Sequence, residues 1–225
     1  MLIILEDDNS NKINELEKEY KEYIRTHVEF VQKAYKDLFS DIPSSIIGDF
    51  FSDDNNVDCI ETRIKVHDSD KYDKERFEIY RKNHYPINDK EKEDNLSTYN
   101  SDKGWIGHWK QNPHHWEYWL SFFPKELDMV IKTYNNDGTY YEASLEDQLK
   151  CAYIEMICDW FSFSYKGLQE KDNGTESGKS ATGEPLAFKE WYKESKKNIQ
   201  IHPKMKDWFD KVLDYASNKF DELNG

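Results

Sequence analysis

Little in this 225-residue chain suits a membrane, a secreted fold or a nucleic-acid surface. Cysteine is scarce: Cys59, Cys151 and Cys158 are the only three, too few for a disulfide framework, and they read as reduced, packed thiols. Basic residues are outnumbered, with 31 Lys and Arg against 45 Asp and Glu, a net charge of −14. A surface of that sign disfavours long nucleic acids and anionic membranes, which need basic patches. It leaves room for a small basic pocket that takes one phosphate. No apolar run is long enough to span a bilayer, and the opening MLIILEDDNS lacks both the charged region and the apolar length of a signal peptide. The expectation is a cytoplasmic protein of a bacterium or of a phage-infected cell. Hydrophobic residues make up only 37%, but aromatic ones reach 15%, so the core is expected to rest on large rings. The length suits one domain over residues 1–225.

Apolar spacing predicts an all-α fold. The stripe Ile13, Leu16, Tyr20, Ile24, His27, Val31, Ala34, Leu38 steps by three or four and predicts a helix over about 11–39, with residues 1–5 a short strand or loose arm. Pro43 opens a short second helix to about Phe51. Val57, Ile60, Ile64 and His67 form another stripe, and 73–82 a further helix. Residues 87–100 read as a polar loop. A helix carrying Trp105 and His108 should stop at Asn112-Pro113, where the next helix begins with Pro at its first position. Asn135-Asn136-Asp137-Gly138 between apolar runs marks a small β-hairpin near 129–143. Ser144 and Asp147 resemble an N-cap pair opening a strong helix to about Tyr165, with Leu149, Ala152, Met156, Asp159 and Phe163 inward. The stretch 167–184 is rich in Gly, Ser and Thr and reads as a flexible loop. Two helices, broken at His202-Pro203, close the chain.

The densest chemistry lies in WIGHWKQNPHHWEYW, residues 105–119, which holds three of seven histidines and four of seven tryptophans. A single histidine on an apolar face is more often a satisfied core residue than a ligand. Three within eight residues, with a His67-Asp68 pair elsewhere, reverse those odds. His27, His67 and Asp159 all fall on inward registers, and Asp68 adjoins one of them. Imidazoles with carboxylates suit Fe, Mn or Zn. The competing reading is a buried His-Asp hydrogen-bond network with no metal. Glu155, one turn before Asp159, is a partner that orients an imidazole in support of catalysis.

The order His27, His67-Asp68, Asp159 resembles the signature of HD-domain metal-dependent phosphohydrolases, which are helical bundles. With His108, His114 and His115 inserted, the order is similar to that of the binuclear HD-GYP phosphodiesterases and of di-iron oxygenases such as inositol oxygenase. The Gly-Tyr-Pro segment diagnostic of HD-GYP proteins is missing, so cyclic dinucleotide hydrolysis is not implied. HDSDK at 67–71, the WIGHW and NPHHWEYW segments, EMICDW at 155–160 and EWY…IHP at 190–203 also resemble a family of bacterial and phage proteins of unknown function. These resemblances imply one or two divalent metals, with Asp68 as bridging carboxylate. Lys71 and Arg76 become candidates for holding phosphate. The implied function is hydrolysis of a small phosphoester, a nucleotide foremost. A di-iron oxygenase and a non-catalytic binding protein are the alternatives.

Overall fold

In the computed structural model, residues 2–97, 99–134, 138–172 and 188–224 are described. They form an all-α bundle with one two-stranded hairpin. Helix α1 spans Leu2–Phe39, α2 Ser44–Ile47, α3 Asp54–Lys65, α4 Lys74–His84, α5 Asp89–Ser97 and α6 Tyr99–Trp109. Strands β1 (Val130–Tyr134) and β2 (Tyr140–Ser144) pair antiparallel, with Ile131 opposite Ala143. Helices α7 (Leu145–Asp172), α8 (Phe188–Ser195) and α9 (Lys206–Asn224) follow. No helix among the described residues is long and apolar enough to cross a membrane.

Helix α7 is the axis of the bundle. Every residue from Leu149 to Cys158 is buried, so this helix is wrapped on all sides, which its one-face apolar pattern understated. It packs on α1, α3, α8, α9 and the hairpin. Its start is fixed by the expected cap: Asp147 N–H donates to Ser144 Oγ at 3.1 Å, and that hydroxyl donates to Asp147 Oδ2 at 2.6 Å. The α1 stripe turns inward as read, with Tyr20, Ile24, Val31, Ala34 and Leu38 buried beside His27. Cys59, Cys151 and Cys158 are free and buried.

Several boundaries differ from the sequence reading. Helix α1 begins at Leu2, so the expected arm at residues 2–5 is helical. The helix expected from Pro43 to Phe51 is broken at Gly48, whose φ of 76° ends α2 before a 3-10 turn at Phe50–Ser52. The polar stretch expected as a loop contains α5, because tertiary bonds hold it. The Arg81 guanidinium donates two hydrogen bonds to the Glu91 carboxylate, Asn88 Oδ1 accepts from Glu91 N–H, and Asn95 Nδ2 donates to Ile79 O at 2.9 Å. A helix fastened by polar side chains leaves no apolar period to read. After Pro113 there is no α-helix but a turn and then a 3-10 segment at Trp116–Phe122. Its entry is pinned by Trp119 Nε1–H donating to Pro113 O at 2.6 Å. Of the stretch read as flexible, residues 167–172 continue α7, and 173–184 lie outside the described residues, as does the hairpin tip 135–137. The closing break at His202-Pro203 stands between α8 and α9.

Candidate metal centre

Five imidazoles and four carboxylates meet where α1, α7, the end of α3 and the 105–119 segment converge. His27 comes from α1 and Asp159 from α7, two turns and more from either helix end. His67 and Asp68 are not on a helix as expected: α3 stops at Lys65, and Asp68 adopts the left-handed conformation with φ 56°. Neighbours on a helix point about 100° apart. The sharp bend after α3 lets two consecutive side chains face one void.

The ligand atoms fall into two groups. In the first, His27 Nε2 lies 3.1 Å from Asp159 Oδ1, 3.4 Å from Asp68 Oδ2 and 3.3 Å from His67 Nε2. His67 Nε2 lies 3.5 Å from Asp159 Oδ1 and 3.6 Å from Asp68 Oδ2. Ligands held about 2.1 Å from one ion sit roughly 3.0 Å apart in octahedral and 3.4 Å apart in tetrahedral geometry, so these spacings suit a shared cation. In the second, Asp68 Oδ1 lies 3.4 Å from His108 Nε2 and 3.5 Å from His114 Nε2. His108, His114 and His115 each offer a nitrogen within 4.8 Å of the others. Asp68 therefore turns one oxygen to each group.

The far nitrogens are held in a pattern that leaves Nε2 free to bind. His67 Nδ1–H donates to Glu155 Oε1 at 2.9 Å, and His108 Nδ1–H to Asp70 Oδ2 at 2.9 Å. Ser162 donates its hydroxyl proton to Asp159 O at 2.6 Å, so its oxygen accepts from His27 Nδ1 at 3.1 Å. His114 Nδ1 is 3.2 Å from Glu155 Oε1, a close charge contact rather than an aligned hydrogen bond. Carboxylates and hydroxyls behind imidazoles are the usual support of metal-binding histidines. Asp70 and Ser162 were missed in the sequence, though both follow a ligand at short helical or turn spacing, two after Asp68 and three after Asp159.

Charge and orphaned atoms both favour a bound cation. Asp68, Asp70, Glu155 and Asp159 contact the imidazoles; against them, among the described residues, stand Lys71 and Arg76 in ion pairs and the buried Arg63, which acts on Glu155. With neutral imidazoles this leaves negative charge in excess in a buried site, a costly state. The metal-free site answers by protonation: burial opposes charge on His27 and His67, yet the carboxylates around them raise both pKa values. Burial also works against ionised Asp68, but Lys71, His67 and His108 hold its carboxyl well below the usual range. Glu155 falls to about 2 despite burial, because of His114 and His67. His108 and His115 are pushed down by burial and stay neutral, as a metal ligand must be. Asp68 Oδ1 and His115 Nε2 are buried with no hydrogen-bond partner, and both belong to the second group. The residues fit one or two borderline divalent ions.

The centre floors a cavity of about 410 Å³ with aromatic walls that include Tyr80, Trp105, Trp116, Trp160 and Trp191. Lys71 lines it and pairs with Asp68 Oδ2 at 2.6 Å. Arg76 does not line it. Its guanidinium is committed to Gly107 O at 2.8 Å, Asp70 Oδ2 at 3.2 Å, and Asp73 and Gln111, so it stays behind Asp70 rather than facing a phosphate. Gly104 and Gly107 allow this close approach of α6 to α4; a Cβ at Gly104 would lie 2.8 Å from Ile79 Cγ2. His202 packs against Phe123, and its N–H donates to Tyr153 Oη, away from the centre.

Comparison with known proteins places residues 16–215 in a family of unknown function (DUF5662). No curated protein and no solved structure matches the chain.

Proposed function

The chain belongs to that family of unknown function, so its activity has to be argued from the site, and we propose that it is a metal-dependent phosphohydrolase acting on a small phosphoester such as a nucleotide. One observation carries the reading. A single carboxylate, Asp68, turns its two oxygens to two separate ligand groups at the floor of a cavity that also holds Lys71. Divalent ions at such a centre lower the pKa of a water and polarise a phosphoryl oxygen. His27, His67 and Asp159 with one Asp68 oxygen would hold one ion. His108, His114 and His115 with the other oxygen would hold the second. Fe, Mn and Zn suit these nitrogen and oxygen donors. The ligand order supports kinship with HD-domain phosphohydrolases.

The chain's own residues do the rest. Glu155, Asp70 and Ser162 fix the imidazole tautomers. Lys71 pairs with Asp68 in the metal-free protein; with a cation in the first group balancing Asp68, the ammonium would be available to a phosphate oxygen. The aromatic walls exclude bulk water, which strengthens every charge interaction inside, and offer flat faces to a base or sugar. A net charge of −14 keeps long nucleic acids away.

The donor set, free of thiolates, also suits a di-iron oxygenase. The two are separated by metal analysis of protein purified without chelator or metal-affinity tag, followed by a nucleotide phosphatase panel and a dioxygen-uptake assay. The expected result is about two equivalents of metal, falling toward one in His108→Ala and His114→Ala with loss of phosphatase activity. One equivalent that neither substitution changes would remove the binuclear reading. Oxygen consumption without phosphate release would favour the oxygenase, and silence in both assays a non-catalytic binder.

A further inference from the structure

Two buried phenol hydroxyls beside Lys71 have no role in the centre described above. Tyr20 is fully buried on α1, seven residues before His27 and on the same face, and its hydroxyl has no hydrogen-bond partner. Tyr80 on α4 is in the same position: its hydroxyl is buried and unpartnered. Both rings line the cavity above the candidate metal centre together with Lys71. The His84 ring lies parallel to both, 8° from each plane, with centroids 6.1 Å from Tyr20 and 6.2 Å from Tyr80. Phe77 packs against Tyr20 at 5.1 Å, and Lys71 Nζ stands 5.5 Å from the centre of the Tyr80 ring. The rings are thus locked in place.

A buried hydroxyl without a partner costs free energy, and two beside one ammonium call for a shared acceptor. Of the charges around both phenols, Lys71 and then Asp68 act most strongly. A phenol keeps its proton at neutral pH, so both hydroxyls can donate to an anion held beside Lys71. Donors fixed in advance around the place where negative charge must sit are the recognised way to bind and stabilise an oxyanion.

We infer that Tyr20, Tyr80 and Lys71 form a cradle for the terminal oxygens of a phosphate monoester, next to the ions that Asp68 would hold. This rests on the phosphohydrolase reading and narrows it. The choice of monoester over diester follows from charge. Asp68, Asp70, Glu155 and Asp159, set against Lys71, Arg76, the buried Arg63 that acts on Glu155, and two divalent ions, leave three positive charges in excess. A monoester dianion offsets more of that excess than a monoanion, and it has three non-bridging oxygens to share between ions and donors. A diester carries one charge and two such oxygens.

The test uses the metal-loaded full chain, with inorganic phosphate and dimethyl phosphate as probes in calorimetric titrations. Tyr20→Phe and Tyr80→Phe keep the packed rings and remove only the hydroxyls. Each should weaken phosphate binding roughly 10- to 100-fold, the loss of one hydrogen bond to a charged group, with metal content and melting temperature unchanged. Dimethyl phosphate should bind far more weakly than phosphate to the wild type. If the wild type holds its metals and binds phosphate, but both phenylalanine variants bind it equally well, the cradle alone is refuted. Equal affinity for the two probes refutes the monoester assignment. A metal-loaded wild type that binds no phosphate overturns the cradle and the phosphohydrolase reading together.

Discussion

Glu155→Gln offers the most direct probe of how the two ligand groups are joined. Glu155 Oε1 accepts from His67 Nδ1 at 2.9 Å and lies 3.2 Å from His114 Nδ1, so one side chain stands behind one imidazole of each group. The fall of its carboxyl from 4.5 to about 2 corresponds to roughly 3 kcal/mol of preference for the ionised form in this setting. Glutamine keeps the volume and can still accept from His67 Nδ1, but it removes the negative charge that also faces His114 Nδ1. Loss of such an orienting partner typically costs about 10- to 100-fold in metal affinity. Here the cost should fall on both ions together. Competition titrations against a coloured chelator should show both binding steps weakened, with helix content by circular dichroism intact. Weakening of one step alone, or of neither, would refute the bridging role. The same change should flatten the acid limb of stability in metal-free protein. A depressed carboxyl contributes stability above its unfolded pKa, and the contribution is lost as pH falls through the folded value. In the wild type that loss therefore runs from about 4.5 down to about 2.

Two further outcomes follow from the geometry. His27 and His67 are raised and must shed protons to bind a metal, whereas His108 and His115 are depressed and already neutral, so affinity at the first group should rise steeply with pH near and above about 6.5 and at the second only weakly; parallel pH dependence of the two binding steps in calorimetry would contradict the assignment. Gly104→Ala should lower stability by about 1–3 kcal/mol in a denaturant titration, because its Cβ meets Ile79 Cγ2 at 2.8 Å and forces apart α4 and α6, the helix that carries His108; an unchanged midpoint would mean that Ile79 yields without cost.

The helical character and the inward registers of His27 and Asp159, two of the candidate ligands, were legible in the sequence, because both depend on periodicity. Tyr20, Ile24, His27 and Val31 share one face by spacing alone, and the geometry puts that face against α7. The hairpin and the Ser144 cap were legible from turn and capping chemistry. What escaped was set by tertiary polar contacts. The α5 helix has no apolar stripe and is held by Arg81 and Asn95. Arg76 looked like a free cation near a helix start, but its neighbours Gly107 and Gln111 lie more than thirty positions away and consume it. The backbone bend at His67-Asp68 was hidden because an apolar stripe ran straight into it. Tyr20 and Tyr80 read as ordinary core rings, since a hydroxyl left without a partner is invisible until its surroundings are known.

The left-handed backbone at Asp68 restricts which substitutions this position can accept. Positive φ is tolerated readily by glycine and, among side-chain-bearing residues, best by asparagine and aspartate. A bridging role demands a short carboxylate whose two oxygens reach opposite ways. Glycine and asparagine meet the first requirement and fail the second; glutamate supplies a carboxylate but fits the backbone less well and carries it farther out. Only aspartate satisfies both, so under the proposed bridging role Asp68→Asn and Asp68→Glu should each impair the site while straining the backbone to different degrees. The same coincidence makes the segment intolerant of length change. One residue added or lost between the end of α3 and Lys71 would rotate a ligand out of the void.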